Sequence, residues 1–465
     1  MTNQSRPFGL RDKLGYLFGD FGNDFTFILS TTILMKFYTD AMGVSAGAVG
    51  TIMMLARLAD AFTDVTMGRI CDRSRIVPGA GKFKPWILRM CVPVAAASFL
   101  MYLTAPAGWP YALRVAYLLV TYLLWGSVFY TAVNIPYGSM ASAISPEPGD
   151  RQSLSTFRTL GGTLAGLIIG VGLPLIAYQK VDGVETLIGP RVTLAAGVFS
   201  LLAIVCYLLC YALTTERVTP QVSHAPARFS SVADMLRGAV RNRALISIIV
   251  ASVLVLLAQL TMQNMAGYVY PDYYNNASAQ SASTLLMMGA MLIAAISAKP
   301  LTARFGKAEV SAGASLLASA VCFATFLFRP QSVWTFVLLQ TLCWLGLGVF
   351  SMVCWALITD VIDYAELQNG IREDGSVYAL YSFARKLGQA VSAGVSGWLL
   401  TLIGYVPGSA VQTEGVLRGV FAIATLMPAI ALGLLALVLA LWYPLHRRQV
   451  EENVARLKEK HSANG

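Results

Sequence analysis

Charge is scarce in this chain. Of its 465 residues 12% are Asp, Glu, Lys or Arg, while 56% are hydrophobic. A soluble globular protein carries about 25% charged residues. A water-facing surface of ordinary composition is therefore excluded, and most of the exterior must face lipid. Histidine is scarcer still: His224, His446 and His461 all fall in polar stretches, which excludes a histidine proton relay inside the membrane. The seven cysteines include no CxxC pair and sit in or beside apolar runs. They read as small buried hydrophobes, not as disulfides or metal ligands. No phosphate-binding GKS/T loop, HExxH helix or nucleophile elbow is present, and no cofactor is implied. The N-terminal MTNQSRPFGLRDK lacks the apolar stretch and small-residue cleavage site of a signal peptide, so the first span is expected to act as the insertion signal.

What the chain has instead is long apolar runs. A spanning helix needs about 20 mostly apolar residues, and twelve candidates lie near 16–38, 45–70, 85–105, 111–144, 155–179, 192–214, 244–270, 281–299, 309–328, 332–362, 376–404 and 416–443. A transmembrane β-barrel would show short alternating segments instead. The net charge of +10 is concentrated in alternate loops: Arg73, Arg75, Lys82 and Lys84 after the second span, Arg217 to Arg243 after the sixth, Lys299, Arg304 and Lys307 after the eighth. By the positive-inside rule both termini are cytoplasmic, and the basic balance reflects membrane topology, with no nucleic-acid partner. The expected organisation is a six-helix bundle over 1–214, a cytoplasmic linker over 215–243, a second six-helix bundle over 244–443, and a cytoplasmic tail over 444–465. Within the linker, SSVADMLRGAVRNR reads equally as a short amphipathic surface helix or as plain linker. MGRICDRSR after span 2 and KPLTARFGKAE after span 8 are basic, glycine-containing turns at equivalent places in the two halves. Two parallel halves around a central site are the plan of Major Facilitator transporters. The expected fold is thus an all-α polytopic membrane protein with twelve transmembrane helices.

Against this apolar background the acidic residues stand out, because a carboxylate inside a membrane helix costs roughly 2.5–3.5 kcal/mol and marks an ion, proton or substrate path. In MLARLADAFTDVTMGR, Arg57, Asp60 and Asp64 share one helical face, with Thr63 beside them. GDFGNDFT puts Asp20 and Asp24 at i, i+4. If the first two helices pack together, up to four carboxylates and Thr63 surround one small cation. Oxygen ligands suit Na⁺, and close carboxylates can alternatively share a proton. Arg57 can also neutralise the acids structurally, and Asp20, nearest the helix start, reads as solvated or capping. In span 4, YTAVNIPYGSMAS offers Thr131 and Asn134 to sugar hydroxyls beside the kink expected at Pro136, with Tyr130 and Tyr137 as stacking faces. The same polar groups can instead join helices. Arg158, Arg385 and Lys386 pair with these acids or bind an anionic group such as a hexuronate carboxylate. Trp355 is a stacking platform or core. Asp360, Asp363 and Glu366, followed by Arg372, form an acidic cluster near the end of span 10. Pairing with Arg73 or Arg75 would give it a gating role.

Together GDFGND, KFYTDAMGVSAGAVGTI, ARLADAFTDVTMGRICD, GKFKPWIL, NIPYGSMASAIS and ITDVIDYAELQNGIREDGSVYALYSFARKLGQA, in this order, resemble the glycoside–pentoside–hexuronide:cation symporter family, which includes melibiose and glucuronide carriers. The resemblance runs through nearly the whole chain. It implies alternating access, with the RxxDxxxD acids Asp60 and Asp64 binding the coupling ion and Thr63 in a polar position of that site where the melibiose carrier has asparagine. It implies Asp24 as a sugar-binding acid and Asn134 in place of a second one. Arg158 and Lys386 match residues near the ion and sugar sites, and Trp355 matches a sugar-site tryptophan.

The function expected is uptake of a sugar or glycoside, a hexuronide or pentoside among the candidates, coupled to H⁺ or Na⁺. The protein is expected to work as a monomer in a bacterial inner membrane, with lipid its only other partner. A sulfonated sugar or a non-sugar amphiphile such as a lysolipid, carried with Na⁺, is the alternative substrate class. A non-transporting sensor or membrane enzyme is disfavoured, because no soluble signalling domain or catalytic set is visible.

Overall fold

The computed structural model describes residues 6–218, 242–369 and 374–463. Helices occupy all twelve expected spans. In chain order they are α1 (Leu10–Lys36), α2 (Ala46–Arg73), α3 (Lys84–Leu100), α4 (Tyr111–Leu123) running through a π-helical segment at Leu124–Tyr130 into α5 (Thr131–Ile144), α6 (Pro148–Ala177) and α7 (Gly189–Leu213). Then come α8 (Arg243–Tyr268), α9 (Ser278–Phe305), α10 (Lys307–Phe328), α11 (Val333–Asn369), α12 (Asp374–Leu402) and α13 (Glu414–Leu437). Among the described residues nine helical segments are long and apolar enough to cross a membrane. The other three expected spans are α1 and α12, interrupted by charged residues, and α3, which has 17 residues. This is an all-α, polytopic membrane fold.

Two features were not anticipated. Between α6 and α7 the chain forms a hairpin, β1 (Tyr178–Val181) and β2 (Val184–Leu187), with Tyr178 opposite Leu187. Its turn residues, Asp182 and Gly183, both have positive φ, 49° and 82°, as the two-residue turns that match strand twist require. The tail carries a further helix, α14 (Arg447–Ala463), with i, i+4 ion pairs Arg447–Glu451 and Arg448–Glu452. The proposed surface helix at 230–243 lies outside the described residues except for its last two. Of these, Asn242 caps α8 by accepting the Leu245 N–H at 3.1 Å.

The chain divides into two compact units. The first comprises Met1–Ala225, Asn275–Ser281 and Gly397–Thr413. In it α1 packs mainly on α6 and α7 and only marginally on α2. Gly19 permits the approach to α7: a Cβ there would stand 2.9 Å from Cys210 Sγ. At one end, buried Asp12 is held by Arg6 and Arg217, each at 2.9 Å. Beside it Glu216 accepts the backbone N–H groups of Lys82, Phe83 and Lys84 at 2.7, 2.9 and 2.8 Å, satisfying donors that the start of α3 would otherwise leave open. Elsewhere in this unit the buried Lys36 ammonium meets Asp40 at 2.8 Å and the Tyr405 hydroxyl at 2.8 Å, and Tyr405 donates to Asp40 at 3.0 Å.

The second unit comprises Pro226–Tyr274, Ala282–Ser396 and Glu414–Gly465. Its core joins α8, α10, α11 and α13, with Leu347, Phe350, Leu357, Ile358, Leu432 and Leu435 fully buried.

Candidate functional site

The first unit holds two clusters of charge. Around Asp60, the Arg57 guanidinium approaches Oδ2 at 3.4 Å and the Ser127 hydroxyl donates to Oδ1 at 2.6 Å. Thr131 donates to Asp64 Oδ1 at 2.8 Å and also lies 3.1 Å from the Gly126 carbonyl. Arg57 is enclosed by the rings of Phe27, Tyr122 and Trp125, 4.9, 5.9 and 5.9 Å from its guanidinium carbon, so its charge is met by π-faces as well as by a carboxylate. The π-helical segment carries Ser127, and Thr131 follows it directly. Such local widening of a helix recurs at functional sites.

In the second cluster Arg158 Nε donates to Asp20 Oδ1 at 2.9 Å, and its guanidinium lies 5.3 Å from the Tyr137 ring centroid. Asp24 is half-buried one turn along α1. Gly162 of α6 leaves room for both carboxylates: a Cβ there would stand 2.5 Å from Asp24 Oδ2 and 3.1 Å from Asp20 Oδ2. Next to them buried Asn23 accepts the Tyr207 hydroxyl at 2.9 Å, while its Nδ2 has no partner among the described residues. Phe27 stacks on Tyr130 at 5.7 Å and faces Arg57.

Several expectations are corrected here. Asp20 is neither solvated nor capping: it is 8% exposed and ion-paired with Arg158. The four acids do not converge on one ion; among the described residues no three carboxylate, histidine or cysteine side chains are placed to share a metal. The reason is packing, since α1 turns its glycine-bearing face to α5 and α7 and not to α2. Thr63 directs its hydroxyl to the Asp60 backbone carbonyl at 3.3 Å, within its own helix. Thr131 donates its hydroxyl proton to Asp64, which leaves its oxygen only as an acceptor. Tyr137 is fully buried, stacked on Tyr16 at 4.6 Å and bonded to its carbonyl at 2.7 Å, so it is core. Tyr130 stacks between Phe27 and Trp125. Asn134 is half-buried on α5.

In the second unit Trp355 is 48% exposed, which removes the core alternative, and it meets Tyr381 edge-on at 5.1 Å. Lys386 is half-buried, and Arg385 reaches the Tyr381 hydroxyl at 3.5 Å. Asp360 is buried and paired with Lys307 at 2.6 Å. Arg73 and Arg75 are exposed on the first unit. Asp363 is half-buried and Glu366 buried. Arg372 lies outside the described residues. Ser127 was missed by sequence reasoning. Its spacing of four from Thr131 was the available signal.

Carboxylates paired with arginine and hydroxyl groups inside apolar helices mark an ion, proton or substrate path. Residues 15–447 match the family described as MFS/sugar transport protein, and the chain belongs to that family, in its glycoside–pentoside–hexuronide symporter branch. It is 30% identical to the glucuronide carrier protein homolog of Escherichia coli strain K12, over 97% of this chain and 96% of that protein. It is also 30% identical to the isoprimeverose transporter of Lactiplantibacillus pentosus, over 97% and 92%. Among solved structures, an inward-facing bacterial homolog of the human lysosomal transporter Spinster superposes with a TM-score of 0.68 at 12% identity, covering 96% of this chain and 99% of that one. The fold is therefore that of the Major Facilitator transporters.

Proposed function

We propose that this protein imports a sugar or glycoside, a hexuronide or pentoside among the candidates, together with H⁺ or Na⁺, by alternating access. The observation that carries the reading is the pair Asp60 and Asp64, held within apolar helices by Ser127, Thr131 and Arg57. Asp60 and Asp64 hold the coupling ion. Their carboxylates and the two hydroxyls are hard oxygen donors that suit Na⁺, and a proton on either carboxylate would serve the same neutralising role. Thr63 helps them, its hydroxyl oxygen keeping a lone pair for the ion while it donates to the Asp60 carbonyl. Asp24 and Asn134 face the sugar, with Tyr130 as an aromatic wall; Trp355 and Lys386 contribute from the second unit. Asp360, Asp363, Glu366 and Arg372 act in gating, with Arg73 and Arg75 as partners in another state of the cycle. The protein functions as a monomer in a bacterial inner membrane with both termini cytoplasmic.

Two relatives named for sugar substrates and the family match support the substrate class. The test is substrate-induced ion movement in proteoliposomes. The panel comprises glucuronides, xylosides, galactosides and a sulfonated sugar, with pH and Na⁺ varied independently. Flux of one ion triggered by one class is the expected result and fixes substrate and ion together. Silence across the panel from folded protein overturns the reading.

A further inference from the structure

The later half of the sequence contributes two segments to the first compact unit, Asn275–Ser281 and Gly397–Thr413. By the alternation of spans, both sit on the side of the α1–α2 connection and of the hairpin after α6. On the topology proposed above that side faces outward. Gly397 of α12 packs directly on α2: a Cβ there would stand 2.3 Å from the Ala46 carbonyl oxygen and 2.8 Å from Gly50 Cα. Along the same joint the Gly47 N–H donates to Thr401 Oγ1 at 2.8 Å, and the Trp398 indole donates to Thr51 Oγ1 at 2.9 Å. On the α6 side Ser281 donates to the Val171 carbonyl at 2.7 Å. Asn275 accepts the Glu185 N–H at 2.6 Å and donates to the Gly183 carbonyl at 2.8 Å. Tyr405 adds a different kind of contact. Its hydroxyl accepts from the Lys36 ammonium at 2.8 Å and donates to Asp40 at 3.0 Å, and its ring centroid lies 5.3 Å from the ammonium. Lys36 and Asp40 are one turn apart on their own segment and 2.8 Å from each other, so they stay paired when Tyr405 departs. Losing one member of a buried ion pair is strongly unfavourable, whereas water can replace a neutral hydroxyl at modest net cost. The other contacts named are single hydrogen bonds between neutral groups. Such a joint holds when closed and opens without stranding a charge.

We infer that Lys36, Asp40 and Tyr405 form the outer latch of this carrier. They hold Gly397–Thr413 against α1 and α2 while the substrate path is closed to the outside, and release it when substrate enters from there. This rests on the symport reading above.

The test locks the joint in the full-length protein in proteoliposomes. A Cβ on Gly47 would stand 3.5 Å from Thr401 Cβ, within the reach of a disulfide. A double variant, Gly47→Cys with Thr401→Cys, is oxidised with copper phenanthroline in air, oxygen taking the electrons and the thiol protons, and is then reduced with dithiothreitol. The seven native cysteines are buried, and each single variant treated in the same way is the control. The crosslink is expected to form and to cut uptake across the sugar panel to background, and reduction to restore it. A crosslinked protein that transports at the reduced rate overturns the latch and leaves symport standing. So does a folded, transporting double variant that does not crosslink. A reduced protein silent on the whole panel overturns the symport reading itself. A second measurement needs no substrate. Thr51→Cys, placed under Trp398, is labelled with a membrane-impermeant maleimide. Adding Tyr405→Phe, which keeps the ring and removes the hydroxyl, is expected to speed labelling about tenfold, the worth of one hydrogen bond to a charged group. An unchanged labelling rate overturns the latch whichever sugar is carried.

Discussion

Gly162→Ala is the most direct probe of how α6 shapes the sugar side of the first unit. The added Cβ would stand 2.5 Å from Asp24 Oδ2 and 3.1 Å from Asp20 Oδ2, closer than van der Waals contact allows. Both obstacles are ends of short side chains, so the substitution is absorbed by re-aiming the carboxylates and not by moving the helix. Overpacking of this kind costs about 1–3 kcal/mol, and replacing glycine in a helix interior returns about 1 kcal/mol. The protein therefore folds, with little change in Tm. The substrate is affected more. If Asp24 accepts sugar hydroxyls, misaiming it loses a charge-assisted hydrogen bond of roughly 1.5–3 kcal/mol, which corresponds to about a tenfold to hundredfold rise in KM or in Kd. The assay is substrate uptake with binding calorimetry on the same preparations. Gly172→Ala on the same helix is the control, since nothing lies within 4 Å of its added Cβ. Wild-type KM and Kd in Gly162→Ala would refute the assignment of Asp24 to the sugar, because the carboxylate cannot keep its position beside that methyl group.

The other predictions rest on single contacts. Asp60→Asn abolishes uphill accumulation while retaining some substrate exchange, measured by counterflow; wild-type accumulation would sink the ion-site assignment. Ser127→Ala removes the 2.6 Å donor to Asp60 and is expected to shift the ion concentration that half-activates uptake by about tenfold or more, with substrate exchange at saturating ion preserved. Glu216→Gln weakens three contacts at the start of α3. It should cost about 1–3 kcal/mol, read as a lower Tm in detergent, and leave KM unchanged in the protein that remains folded.

The twelve helices were legible because lipid imposes a simple rule: every backbone polar group must be satisfied within the segment, so apolar runs of sufficient length become helices. The hairpin after α6 was hidden by the same rule. Its Asp182–Gly183 turn is a strong hairpin signal, but it comes directly after a membrane span whose apolar pattern continues into Tyr178. The identity of the charged site residues was equally legible, since each stands out against an apolar background. Arg57 and Arg158 were expected to meet these acids and do, but which acid Arg158 takes, and the part of Ser127, were not legible. Asp20 and Arg158 are 138 positions apart, and Ser127 and Asp60 are 67 apart, so neither pair leaves a local pattern. The π-helical segment at Leu124–Tyr130 adds to the difficulty, because a face drawn with 3.6 residues per turn misplaces every residue beyond a wider turn.

One misplacement was avoidable. The idea that four acids share an ion assumed that α1 meets α2. The sequence GYLFGDFG puts Gly15, Gly19 and Gly22 at i, i+4, i+7, and small residues at that spacing mark the face where a membrane helix meets its closest neighbour. Gly15 lies against Leu213 and Thr214, Gly19 against Tyr137 and Cys210, and Gly22 against Tyr207, so that face belongs to α5, α7 and the residue just after α7. Asp20 is the next residue after Gly19 and is therefore rotated by about 100° from that face on an ideal helix, which carries it toward α6, where Arg158 and Gly162 meet it. The stripe of glycines thus settles which helix the acids of α1 address. In the folded chain that stripe lies on α5 and α7, and Asp20 meets Arg158 of α6.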